Sequence, residues 1–198
     1  MNVSAGATFD TDSGGVLVFD GINDWARVDS LSDFFRYRNG SFTFQTWVKP
    51  SYDIPSDSGG RGGVLLSMHN ATSNMLRWQI TKDKISVLDL PDNNIVYNHN
   101  KNLAWGVWYL YTLVGDHVNN QITLYIDTSE ITTGSMTCLD YWDDIDRVSI
   151  GQEYDGYDYT SEHYAGSIGL WLAYDRAMTA SEVASNYEAS KLRFGYSD

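Results

Sequence analysis

The chain has 198 residues, 42% of them hydrophobic and 14% aromatic, and 26 acidic against 13 basic side chains give it a formal net charge of −13. The length suits one domain with a real core, while the charge opposes a phosphate backbone and argues against nucleic acid as a partner. The single cysteine, Cys138, excludes an internal disulfide framework and a cysteine zinc site, and no apolar run reaches the 18 residues of a membrane-spanning helix.

Residues 1–14 read as an N-terminal arm. The start Met1-Asn2-Val3-Ser4-Ala5-Gly6 lacks the basic head and apolar middle of a signal peptide, so synthesis in a cytoplasm without cleavage is expected. Residues 16–19 and 25–28 read as short strands about an Asp20-Gly21 turn. Residues 31–37 read as a helical turn capped by Ser30 or Ser32. Residues 42–49 alternate strongly and end at Pro50. The Ser-, Asp- and Gly-rich stretch 51–63 reads as a mobile loop and not a domain linker, because strand pattern resumes at once. Strands 64–68, 75–80, 84–89 and 94–97 follow as a meander. Residues 107–114 and 121–127 are longer strands joined by turn-forming residues 115–120. After a short strand at 147–151 comes the long one, 165–174, with Ile168, Leu170, Leu172 and Tyr174 expected on one face and Gly169, Trp171 and Ala173 on the other. Both faces are apolar enough to be covered. Thr179 with Glu182 three residues on is a capping box; Val183, Tyr187 and Leu192 supply the helix's apolar face, and Gly195 is its expected stop. One helix among many strands predicts an all-β, two-sheet antiparallel sandwich. It spans 15–178, with the helix at 179–191, a tail at 192–198, and first and last strands that meet.

The ordered set of short patterns is similar to the laminin-G-like branch of the concanavalin-A-like lectin/glucanase superfamily. It comprises Phe19-Asp20-Gly21 with Asp24-Trp25; Ser41-Phe42-Thr43-Phe44 with Trp47-Val48-Lys49-Pro50; Trp108 leading to Ile122, Leu124-Tyr125-Ile126-Asp127; Ser149-Ile150-Gly151; and Gly166, Ile168, Tyr174, Arg176-Ala177-Met178-Thr179 with Glu182-Val183. The resemblance covers roughly residues 15–190. It implies a jelly roll of two curved antiparallel sheets, with ligands on the concave face or at rim loops. The ending Asn186-Tyr187, Lys191, Arg193-Phe194-Gly195 resembles the way such domains close in tailed-phage and other viral structural proteins. That implies a virion-surface protein made in host cytoplasm, or otherwise an extracellular one, with a glycan or a capsid or tail protein as partner.

Three chemistries follow. Glucanases of this superfamily place Glu-x-Asp-x-x-Glu along one strand, so that alternation aims the acids at one face. Here the segment is Glu153-Tyr154-Asp155-Gly156-Tyr157-Asp158, whose last acid is one methylene short and whose glycine suits a loop; no catalytic residue is expected and the protein reads as a non-enzyme. Sugar binding is better supplied. Tyr154, Asp155, Tyr157, Asp158, Tyr159 and His163 put aromatic faces among hydroxyl-binding carboxylates, and Trp142, like Trp105, lies in a loop where an indole can be exposed. The same tyrosines suit a subunit interface, so a homo-oligomer is a further expectation, and a purely structural attachment role and, second to it, a glucanase-like glycoside hydrolase stay open beside the lectin-like one. For a cation, the resemblance implies a structural calcium held by Asp20, Asp24 and Asp175, if the first and last strands bring them together; otherwise Asp20 simply caps its turn. The scattered His69, His99, His117 and His163 offer no zinc motif, and there is no Gly-x-Ser-x-Gly elbow for a hydrolase.

Overall fold

A computed structural model of the chain describes residues 2–3, 7–28, 31, 40–51, 63–69, 74–81, 84–89, 94–100, 104–135, 147–154 and 160–197. Its organising strand is β5 (Phe42–Pro50), whose alternation serves two hydrophobic layers at once. Phe42, Phe44 and Val48 point into the sandwich interior, where they join the main core. Thr43, Gln45 and Trp47 point the other way and are equally buried.

Around β5, seven strands run antiparallel in the order β12 (Ser129–Ser135), β11 (Gln121–Ile126), β10 (Tyr109–Asp116), β5, β16 (Ala165–Tyr174), β3 (Val16–Asp20) and β2 (Thr8–Asp10). The facing sheet has the order β1 (Asn2–Val3), β4 (Ala26–Arg27), β13 (Arg147–Ile150), β6 (Gly63–His69), β7 (Asn74–Ile80), β8 (Lys84–Asp89) and β9 (Asn94–Asn100). A two-stranded hairpin, β14 (Glu153–Tyr154) and β15 (Thr160–Ser161), leads into β16. Between the sheets Leu66, Met68, Leu76, Trp78, Val87 and Ile150 of one meet Phe44, Tyr111, Leu113, Ile122 and Leu124 of the other. The first and last long strands do meet: Leu17, Val18, Phe19 and Asp20 lie opposite Ile168, Ser167, Gly166 and Ala165.

The expected two faces of β16 are corrected by a bulge. The register slips by one residue between Gly169 and Leu172, and Leu170 takes a left-handed φ of 49°. The extra residue re-phases the strand. Ile168, Trp171 and Ala173 therefore all pack on the interior, while Leu170 and Tyr174 join outer clusters. Sheet periodicity assumes two residues per repeat, and one inserted residue inverts everything downstream.

The outer face of the β5 sheet is roofed by α1 (Ala180–Ser190) and a 3-10 turn, Lys191–Phe194. Thr179 and Glu182 close the expected capping box. Val183 is buried, but Leu192 is 64% exposed and Phe194 takes the buried position expected of it. The left-handed Gly195, at φ 87°, ends the 3-10 turn and not α1 itself. Described residues of both terminal stretches pack against the sandwich. Residues 2–3 and 8–10 extend the two sheets, and Arg193 clasps the carbonyls of Ser13, Gly14 and Gly15, the last two at 3.1 and 2.8 Å. Residues 32–37 of the expected helical turn lie outside the described set. Among the described residues no helix is long and apolar enough to cross a membrane.

The cap is the first place where pH acts. Hydrogen bonds from Arg176 and from the Thr179 amide and hydroxyl hold the Glu182 carboxyl down, from its usual 4.5 to about 2. A carboxyl lowered in the folded state contributes stability that is complete above 4.5 and is lost as pH falls through about 2. A pH series of melting temperatures should show Glu182→Gln removing part of the acid slope between those values; an unchanged slope would refute the assignment.

Candidate functional site

One corner of the sandwich gathers residues that the sequence had placed in separate sets. The loop after β3 is an Asx turn: Asp20 Oδ1 accepts from the amides of Ile22 at 2.8 Å and Asn23 at 3.4 Å, with Gly21 at φ 79° pressed against Ala165. Asp24 Oδ2 accepts from the Asp20 amide at 2.8 Å, and its Oδ1 is buried with no hydrogen-bond partner. Burial pushes the Asp24 carboxyl above its usual range, opposed by the Asp20 amide and by nearby His163. His163 from the ligand set thus sits beside Asp20 and Asp24 from the metal set, because Asp20 is in register with Ala165.

Asp175 does not belong with them. It follows the far end of β16, where Tyr174 lies opposite Thr43, whereas Asp20 lies opposite the near end. The ten residues of β16 separate the two, roughly 30 Å at strand rise. Strand adjacency holds; convergence fails because the acids attach to opposite ends of the pair. Among the described residues no three His, Cys, Asp or Glu side chains gather closely enough to hold a metal. Asp20 spends its carboxylate on its own turn, and the Asp20, Asp24, Asp175 set does not fit a calcium.

Of the glycan-binding candidates, Trp142, Asp155, Tyr157, Asp158 and Tyr159 lie outside the described residues, and Tyr154 is placed only by its backbone, opposite Thr160. The β14–β15 hairpin is anchored by an ion cluster. Glu153 is bound to Arg77 Nη1, and Glu162 Oε2 lies 3.1 Å from the same nitrogen. Both carboxylates are almost fully buried, with side-chain exposures of 3% and 7%. Arg77 stands on β7 between Ser67 and Leu88. Sequence reasoning passed over it, although an arginine inside the apolar run Met75-Leu76-Arg77-Trp78 signals a buried acidic partner. Glu153, the first acid of the glucanase-like spacing, thus has its carboxylate held in a charge-assisted pair with Arg77.

The outer face of the β5 sheet provides open concavities. Its centre is closed: Trp47 stacks on Phe194 at 4.6 Å and Tyr187 at 5.6 Å, and its indole N–H donates to Ser190 Oγ at 2.9 Å. Past this cover, where β3, β5 and β16 end, lies a cleft of about 490 Å³ lined by Val18, Lys49, Pro50, Ser51, Trp105 and Ser167. Trp105 is half-buried, in a turn whose Gly106 amide donates to the Pro50 carbonyl at 2.9 Å. Lys49 Nζ stands 5.4 Å above the Trp108 ring. Gly166, at φ 138°, lets β16 pass so close that a side chain there would collide with the Lys49 carbonyl. A second cleft, about 370 Å³, lies between β10–β12 and the start of α1 and carries Asp116 and Glu130. Its tyrosine, Tyr125, is buried.

Two antiparallel sheets, closed by the first and last long strands and roofed on one side by a C-terminal helix, define a lectin-type jelly roll. The chain belongs to the concanavalin A-like lectin/glucanases superfamily, whose family model matches residues 20–184. Among solved structures it is similar to the botulinum neurotoxin serotype D binding domain, at 13% identity and TM-score 0.70 over 96% of this chain and 47% of that one. It is similar to a heptameric SAP-like pentraxin from Limulus polyphemus, at 16% identity and TM-score 0.64 over 86% and 80%. It also resembles a mutant of NanB sialidase from Streptococcus pneumoniae, at 15% identity and TM-score 0.70 over 87% and 27%. At these identities the likeness is one of fold, and the chain spans less than half the length of the toxin binding domains it matches. No curated protein sequence matches the chain.

Proposed function

We propose that the chain is a non-enzymatic recognition module that binds a glycan in the Trp105 cleft. The observation that carries this reading is the half-buried indole of Trp105 in a concavity of ligand size, beside Ser51, Ser167 and Lys49. An aromatic face for a sugar's C–H patch, with polar groups at its edge for hydroxyls, is the pairing that sugar recognition needs. A lectin-type fold is consistent with it, as is the name of one structural neighbour, a neurotoxin binding domain. The Arg77 grip on Glu153 speaks against glycoside hydrolysis, which needs two free carboxyls facing one bond. A virion-surface setting rests on the C-terminal sequence pattern, and co-purification with particles tests it.

Glycan-array screening followed by titration of the best ligand tests the reading. Trp105→Ala should weaken that ligand by roughly fivefold or more, taking the ~1–3 kcal/mol of a base stacked on an aromatic as the guide. Binding that survives Trp105→Ala unchanged places the site elsewhere, and an empty array removes the lectin role.

A further inference from the structure

We infer that the Trp105 cleft selects glycans that carry an anionic group, a carboxylate or a sulfate, with Lys49 as the charge that reads it. The inference rests on the glycan reading above and adds the ligand's charge.

The ground for it is how the basic side chains are distributed. Acidic residues outnumber basic ones 26 to 13, and the basic side chains found in ion pairs are taken by carboxylates: Arg77 by Glu153 and Glu162, Arg176 by Glu182, Lys191 by Glu188. Among the described residues Lys49 has no carboxylate partner. Its ammonium is set over the Trp108 ring, which orients it without neutralising it. It is half-buried, on the outward row of β5 beside Ser167 and next to the buried Pro50. The described lining of its cleft holds this one cation and no acid. The other sizeable cleft on this face has the opposite character, with Asp116 and Glu130 and no basic residue.

In a chain of net charge −13, the long-range field repels anions. That field is screened beyond about 8–10 Å at physiological salt, whereas a half-buried ammonium acts at contact distance and is screened far less. A neutral sugar could use Trp105 and the serines alone. Only a ligand with a negative group uses a partnerless ammonium at the same wall. A hydrogen bond to a charged group adds roughly tenfold or more in affinity over its neutral counterpart.

The test is an array that prints each neutral glycan core beside its sialylated, uronate-bearing and sulfated forms, read with the full chain at physiological salt. The anionic forms should bind at least roughly tenfold more tightly than their neutral cores. Lys49→Gln should bring them down to the neutral level with the melting temperature unchanged, Lys49→Arg should keep the preference, and Trp105→Ala should weaken all forms together. A response to the carboxylated or to the sulfated forms alone supports the inference and names the group. Neutral cores that bind as well as anionic ones, still dependent on Trp105, overturn it while leaving the glycan reading intact. An anionic preference that survives Lys49→Gln also overturns it. No binding to any printed form overturns both.

Discussion

Trp47→Ala is expected to destabilise the fold by about 3–5 kcal/mol, the usual cost of truncating a fully buried tryptophan. Trp47 is the only large ring on the outward row of β5 and has no exposed surface. Its indole is the floor on which the C-terminal segment rests, stacked on Phe194 and Tyr187 and tilted against Tyr196 at 5.6 Å. Phe194 is wedged further against Trp108 at 4.9 Å. Each such ring pair contributes about 0.5–1.5 kcal/mol beyond the area it buries. Removing the floor strips three partners at once and leaves Ser190 Oγ without its donor. Urea denaturation should show the loss, and the helix signal should melt with the sheet or before it. Trp47→Phe keeps a ring and should cost much less. Phe194→Ala and Trp47→Ala should be strongly non-additive, because they remove one contact from its two sides. Additive losses, or a loss below about 1 kcal/mol for Trp47→Ala, would show that the roof is not anchored there.

Arg77→Met is expected to be nearly as damaging, at about 3–5 kcal/mol, for the opposite reason. It removes a guanidinium shared by two carboxylates that are almost wholly out of water. The Arg77 pairing with Glu153 and Glu162 need not be a large net gain over an apolar triad. What costs so much is taking away the guanidinium that two buried anions share. Arg77→Met combined with Glu153→Gln and Glu162→Gln should therefore recover much of the stability that Arg77→Met loses. If it does not, Arg77 acts mainly through the packing of its stem. Because Glu153 and Glu162 flank the hairpin, the single variant should also raise protease cleavage between residues 153 and 162 more than elsewhere.

Much of the architecture was legible because its signals are local. Alternation in residues 42–49 announces a strand, Thr179 and Glu182 announce a helix start, and the Asp20-Gly21 pair announces a turn. The strands that were missed carry little of that signal. Ser129–Ser135 is a mostly exposed edge strand held by β-branched Thr132, Thr133 and Ile131, with no apolar alternation to mark it. Residues 8–10 pair at the opposite edge for the same reason. The candidate site was less legible. Trp105 was visible as an indole in a loop, but nothing local links it to Lys49, Ser51 and Ser167. Arg77 was visible as a charge in an apolar strand, but its two partners lie far along the chain.

By itself the sequence determined the two-sheet sandwich, the meeting of its first and last strands, the capped helix and, through its single cysteine, the absence of an internal disulfide. Periodicity, capping and cysteine count depend on residues within a few positions of one another, and those carry their own physics. Which distant residues share a corner was decided only by the tertiary structure. The register of β3 on β16 puts Asp20 and Asp24 beside His163 and sends Asp175 to the far end. One bulge at Leu170 chooses which side chains of β16 face inward. The roof over Trp47 closes the centre of the outer face and leaves the Lys49 and Trp105 cleft open at its end. Registers and bulges are set by packing across the whole sheet, where a single residue of slip changes every neighbour, so no local pattern can encode them.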